Sequence, residues 1–153
     1  MPAREGAGAV AIFNTRSVKG EVVCTQKKVG VVVEAKFTVL PAGEHGFHIH
    51  KAGDLRGEGC KLACEHFHVG PPQNHGGPRS KVRHTGDLGN ISAVNTTYTF
   101  MLKGITIEDL WGRSFIVHAD KDDLGLGGEE DSLTTGHSGK RIACAVVGRA
   151  YSS

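Results

Sequence analysis

Twenty-two glycines and five prolines are spread along 153 residues, and they limit the possible folds more than any other feature. Inside a helix each glycine costs about 1 kcal/mol relative to alanine, and each proline about 3 kcal/mol. No segment carries a capped apolar stripe at i, i+3, i+4 and i+7. Between the glycines lie short apolar, β-branched stretches, among them Ala9–Phe13, Val29–Leu40, Tyr98–Leu102 and Phe115–His118. This is the pattern of strands separated by tight turns, so the chain reads as all-β, a sandwich or Greek-key barrel. A chain with 39% hydrophobic residues can build one core and is too short to suggest two, so residues 1–153 are expected to form a single domain.

Two segments break the strand rhythm, Lys51–Val82 and Asp120–Lys140. Structureless loops beyond about 12 to 15 residues are uncommon in compact domains and are usually functional or tied down by something other than a ladder. The first holds His66, His75, Cys60 and Cys64 and runs into His84 and Asp87; the second begins just after His118. Metal and disulfide are the expected ties.

His48 and His50 are two residues apart, which on a strand directs both imidazoles to one face about 7 Å apart. His66, His75, His84 and Asp87 follow at intervals of 9, 9 and 3, three imidazoles and a carboxylate that would close a tetrahedron with no open position. A closed site reads as structural. His48, His50 and His118 remain, three imidazoles that would leave a second ion open to a small ligand. An all-nitrogen set favours copper moving between two oxidation states, and zinc fits the same donors.

Taken in order, Gly46-Phe47-His48-Ile49-His50, His66-Phe67, His75-Gly76-Gly77-Pro78, Gly86-Asp87-Leu88-Gly89-Asn90, Val117-His118-Ala119-Asp120 and Gly139-Lys140-Arg141-Ile142-Ala143-Cys144 resemble copper/zinc superoxide dismutase over essentially the whole chain. The resemblance implies an eight-stranded antiparallel Greek-key barrel or sandwich with two long functional loops. It implies that His48, His50, His66 and His118 bind copper, that His66, His75, His84 and Asp87 bind zinc, and that His66 bridges the two ions. It further implies a Cys60–Cys144 disulfide, and Asp122 as the carboxylate that joins a copper ligand to a zinc ligand through hydrogen bonds. Such a bridge closes a loop of roughly 85 residues, worth on the order of 4 kcal/mol in the chain-entropy account. The implied activity is dismutation of superoxide to dioxygen and hydrogen peroxide, with Arg141 holding the anion and His66 relaying a proton.

Read alone, Arg141 is a solvated surface arginine; its place three residues before Cys144 matches the family's active-site arginine. Glu130 and Asp131 match the family's acidic pair, Thr134 stands where many relatives carry a guiding lysine, and Lys121 is a shifted substitute. One extra residue falls between His50 and Cys60 and another between His66 and His75, insertions that loops absorb at small entropic cost. Cys64 and Cys24 are expected to be free thiols, and His45, His68 and His137 solvated residues. The resemblance implies a homodimer with Trp111 near its axis, although Ala52 replaces a larger apolar residue there, and a copper chaperone as a further partner. The net charge of +2, from 18 basic and 16 acidic residues, argues against a nucleic-acid partner. No 18-residue apolar run suggests a membrane span, and Met1–Val10 has no signal-type core, so a cytoplasmic protein is expected. The alternative is a copper- and zinc-binding or chaperone-like barrel without catalysis.

Overall fold

The computed structural model describes residues 8–151; most of the segment read for a leader lies outside them. Its strands are β1 (Gly8–Asn14), β2 (Lys19–Gln26), β3 (Gly30–Val39), β4 (His45–His50), β5 (Asp87–Ile91), β6 (Thr97–Lys103), β7 (Ser114–His118), β8 (Arg141–Val146) and β9 (Gly148–Arg149). They form two antiparallel sheets, in the orders β6-β3-β2-β1-β9 and β5-β4-β7-β8. The connections β3–β4, β5–β6 and β6–β7 cross between sheets, so β3 pairs with β6 and β4 with β7, the long return of a Greek key. The eight expected strands are β1 to β8. A ninth, β9, forms where the chain leaves β8 and crosses to pair with β1 at Ala9 and Val10. Among the described residues the ladders do not join into a closed barrel, and the sandwich form of the expectation is the one that holds. Among the described residues no helix is long and apolar enough to cross a membrane.

The two sheets meet over Phe13, Phe37, Phe47 and Phe115, all essentially excluded from water. Phe47 stacks on Phe115 at 5.5 Å and meets Phe37 edge-on at 5.6 Å, and pairs of this kind add about 0.5–1.5 kcal/mol beyond their buried area. β1 alternates buried and open residues, as a strand with one wet face must, whereas every residue of β4 and β7 is buried. Phe47, Ile49, Phe115 and Val117 enter the core. Alternation therefore turns His48, His50 and His118 to the opposite face, and the two long segments shield that face from water. Neither segment contains a strand; the first carries only the 3-10 turn Lys61–Ala63 and an isolated bridge between His50 and His66.

His45 departs from the expectation of a solvated residue: it is 3% exposed. Its Nδ1 lies 2.9 Å from the His118 carbonyl and 3.1 Å from that of Ala119, and its Nε2 is 2.9 Å from the Pro41 carbonyl. The ring ties the start of β4 to the end of β7, a position a sequence pattern does not reveal. His137 is exposed and meets Asp131 at 2.6 Å.

Candidate metal centre

The sandwich brings His48, His50, His66 and His118 to one point, their ligand atoms all within 4.8 Å of one another. β4 and β7 supply three of them side by side, because His50 faces Ser114 and His48 faces Ile116 in the β4–β7 ladder. His66 comes from the loop, held by its bridge to His50. In each ring the nitrogen facing away from this point is already engaged. His50 Nδ1 is 2.8 Å from the Cys64 carbonyl, His118 Nδ1 is 3.1 Å from that of Gly139, and His48 Nε2 is 2.6 Å from Asp122 Oδ2. The inward nitrogens, His48 Nδ1, His50 Nε2, His66 Nε2 and His118 Nε2, are buried with no hydrogen-bond partner. Unpartnered buried polar atoms are costly, and four of them converging on one point fit a metal ion.

Burial, reinforced by mutual repulsion among the rings, holds His48 and His50 well below the ordinary histidine range. Burial likewise pulls His118 down to about 4 and lowers His66 despite its contact with Asp87. Neutral imidazoles keep their lone pairs, the form in which a metal takes them.

A second group, His66, His75, His84 and Asp87, converges behind the first. Asp87 Oδ1 is 2.8 Å from His66 Nδ1, 2.9 Å from His75 Nδ1 and 3.3 Å from His84 Nδ1. His75 Nδ1, though this close, makes no hydrogen bond. The remaining carboxylate oxygen accepts the Gly76 and His84 backbone N–H groups at 3.0 and 2.7 Å, and His84 Nε2 is fixed 2.7 Å from the Gln73 carbonyl. Three imidazoles and one carboxylate with second atoms engaged elsewhere suit a closed tetrahedral zinc site. His66 belongs to both groups, with Nε2 in the first and Nδ1 in the second.

Asp122 spans the two groups from the other side. It is fully buried and accepts from His48 Nε2 at 2.6 Å and from His75 Nε2 at 2.7 Å, while the Leu124 N–H reaches it at 2.8 Å. Burial opposes charge on His75, yet its hydrogen bonds to Asp122 and the neighbouring Asp87 carboxylate prevail and raise it to about 9. Gly136 makes this arrangement possible: its φ is 75°, and a Cβ there would overlap both the Asp122 carboxylate and His75 Nε2.

Arg141 opens β8 beside His118. Its Nη1 donates to the Cys60 carbonyl at 2.9 Å and its Nη2 to the Cys64 carbonyl at 2.6 Å, the same oxygen that receives His50 Nδ1. The guanidinium and an imidazole of the first group thus share one acceptor. Cys60 is bridged to Cys144, with Cα atoms 6.3 Å apart, which fixes those carbonyls against β8. Arg141, His66, Lys51 and Thr135 line a cavity of about 560 Å³ that opens to solvent. Thr134 also lines it, while Lys121 pairs with Glu44 at 3.4 Å, so its charge is partly spent there. Cys64 is an exposed free thiol and Cys24 a buried one, as expected. His68 is a partly exposed loop residue that accepts the Thr85 N–H at 3.0 Å and lies 3.0 Å from the Pro71 carbonyl. Sequence reasoning missed the Cys64 and Gly139 carbonyls that orient the rings, because a main-chain acceptor leaves no mark in residue identity.

The sequence model of the copper/zinc superoxide dismutase family matches residues 18–147. A superoxide dismutase [Cu-Zn] of Paramecium bursaria Chlorella virus 1 is 47% identical, over 87% of this chain and 74% of its own. An extracellular superoxide dismutase [Cu-Zn] of Drosophila melanogaster is 44% identical over 92% of this chain and 81% of its own. Superoxide dismutase [Cu-Zn] A of Xenopus laevis is 44% identical over 86% and 89%. Among solved structures, the crystal structure of the clock protein EA4 superposes with a TM-score of 0.83 at 34% identity, covering 98% of this chain and 99% of that one. The chain belongs to the copper/zinc superoxide dismutase family. It is accordingly a copper- and zinc-dependent oxidoreductase acting on superoxide.

Proposed function

We propose that His48, His50, His66 and His118 hold copper, that His66, His75, His84 and Asp87 hold zinc, and that Arg141 binds superoxide. The observation that carries this reading is the division of His66 between two donor groups, one nitrogen in each. Copper held by the first group would supply one-electron exchange with superoxide, and zinc held by the second would supply a fixed positive charge. Arg141 offers a charged fork to the anion: two of its five N–H groups are bound to carbonyls, and the rest remain free to donate. His66 Nε2 is the atom that takes up a proton in one half of the cycle and returns it in the other, while Nδ1, 2.8 Å from Asp87, stays with the second group. The second proton comes from solvent, so two superoxide anions and two protons leave as one dioxygen and one hydrogen peroxide. Asp122 keeps both supporting rings in the tautomer that directs Nδ1 inward.

A single domain over residues 1–153 is part of this reading, supported by one hydrophobic core shared by both sheets. So is a homodimer. Its support is a surface where Trp111, half-buried and stacked under Arg149 at 4.4 Å, lies beside β9, with the Gly112 N–H bonded to the Val147 carbonyl. Gly53 packs closely on the Gly112 and Arg113 carbonyls there. A copper chaperone fits the burial of the first donor group, whose rings are 0 to 6% exposed. The exposed free thiol of Cys64 favours a reducing compartment, the cytoplasm, with the Cys60–Cys144 bridge an exception to the reduced thiols expected there.

The test is stopped-flow consumption of superoxide by protein loaded with both metals, with hydrogen peroxide measured alongside. The expected result is turnover with one peroxide for every two superoxide. Stable binding of both metals without turnover would leave only the non-catalytic carrier.

A further inference from the structure

Outside the metal centre, on the far wall of the first long segment, lies a groove of about 370 Å³ between residues 78–85 and the end of β6. Its charged walls are Arg79 and Arg83 on one side and Lys103 on the other, and no carboxylate lines it. None of these three cations lies in a salt bridge among the described residues. In a chain whose net charge is only +2, three unpaired cations around one concavity form a local positive field.

Arg83 is the best fixed of the three. Its Nε donates to the His84 carbonyl at 3.0 Å, its Nη1 to that of Pro78 at 2.7 Å, and its Nη2 to those of Thr85 and Asp87 at 2.9 Å each. All four acceptors are neutral carbonyls, so the guanidinium is held rigid and half-buried without a counter-ion against it. The Asp87 carboxylate is turned inward and engaged by the three histidines. A charge fixed in this way needs no ordering when an anion arrives, which removes one cost of binding. Ser80 Oγ accepts the Gly77 N–H at 2.8 Å, which leaves its hydroxyl proton available to a ligand. Met101, 40% exposed, adds apolar surface on the same lining.

We infer that this groove binds a small organic anion, a monoester of phosphate or sulfate, with the charged group between Arg83, Arg79 and Lys103 and the organic body over Met101. The volume lies within the range of small-molecule pockets, about 300–1,000 Å³. Two cationic walls suit a tetrahedral anion with several oxygens: Arg83, with four of its five N–H groups on carbonyls, contributes fixed charge and one free Nη1 N–H, and the donor fork that meets the anion is that of Arg79.

Phenyl phosphate and phenyl sulfate are titrated separately into the reduced, metal-loaded enzyme at constant ionic strength, with amide chemical shifts as the readout and phenol as the uncharged control. Saturable shifts at Arg79, Ser80 and Lys103 are expected with at least one ester, and the tighter of the two identifies the source of the anion. The Arg79→Ala/Lys103→Ala double variant should bind at least tenfold more weakly while consuming superoxide at the wild-type rate; Lys103→Ala alone provides the same comparison with a smaller change. Shifts confined to the surroundings of Arg141, an affinity unchanged in the variants, or equal binding of phenol would each overturn the proposal.

Discussion

Replacing Asp122 with alanine should release zinc far more readily than copper, although the carboxylate touches a ligand of each group. His48 sits inside β4, paired with Ile116 on one side and Asp87 on the other, so its backbone and ring direction are set by two ladders. His75 lies in a segment without strands, where one backbone bond to the Leu133 carbonyl at 2.8 Å and the contact with Asp122 at 2.7 Å are its chief anchors. Removing the carboxylate leaves His48 held and His75 free to turn. Loss of such an orienting partner typically lowers metal affinity 10- to 100-fold, which is about 1.4–2.7 kcal/mol. The expected outcome is a fall of this size for zinc and less than about tenfold for copper. Chelator competition, run for each metal on separately loaded protein, reads both numbers. A larger loss of copper than of zinc, or zinc binding unchanged, would refute the claim that Asp122 matters chiefly by fixing the loop ligand.

Arg141→Ala should keep both metals and lower the rate at limiting superoxide by about tenfold or more, since a fixed cation at the mouth raises encounter with an anion; pulse radiolysis with metal analysis checks both parts. Gly136→Ala forces a Cβ onto Asp122 and His75 at a positive φ, so a loss of about 1–3 kcal/mol and weaker zinc binding are expected from thermal melts and competition titration. Reducing the Cys60–Cys144 bridge, which spans 84 residues, should cost roughly 4 kcal/mol. Calorimetry should register that as a drop of roughly 8–16 °C in the melting temperature. The wild-type rate should fall at the same time, because the Cys60 and Cys64 carbonyls hold Arg141.

The fold class was legible because glycine punctuation and β-branched runs both point to strands, and Val29–Leu40 differs from β3 by only one residue at each end. The ninth strand was not legible: two residues after Val147 carry no pattern, and their pairing depends on where the chain crosses to β1. Seven donor residues stood out by type and spacing, and the structure gathers all of them into the two groups. Asp122 was legible only through the family motif, since one aspartate in a loop of aspartates has no distinguishing period. His45 was misread because β4 is wet on neither face, a fact created by the loops folded over it and not by the strand itself. His68 stays in the loop, partly exposed and outside both donor groups as expected; what the sequence does not show is the Thr85 amide, 17 residues away, that fixes its ring.

In the proposed function two metal sites share His66, and the site formed with β4 and β7 performs the redox step. The most direct measurement is the metal content and superoxide consumption of the copper- and zinc-loaded protein beside His118→Ala, which removes a ligand from the first group alone. The wild type should hold one copper and one zinc per chain, and the variant should retain zinc, lose or loosen copper, and have no activity. Full activity in His118→Ala, or loss of zinc with copper retained, would contradict the proposed function.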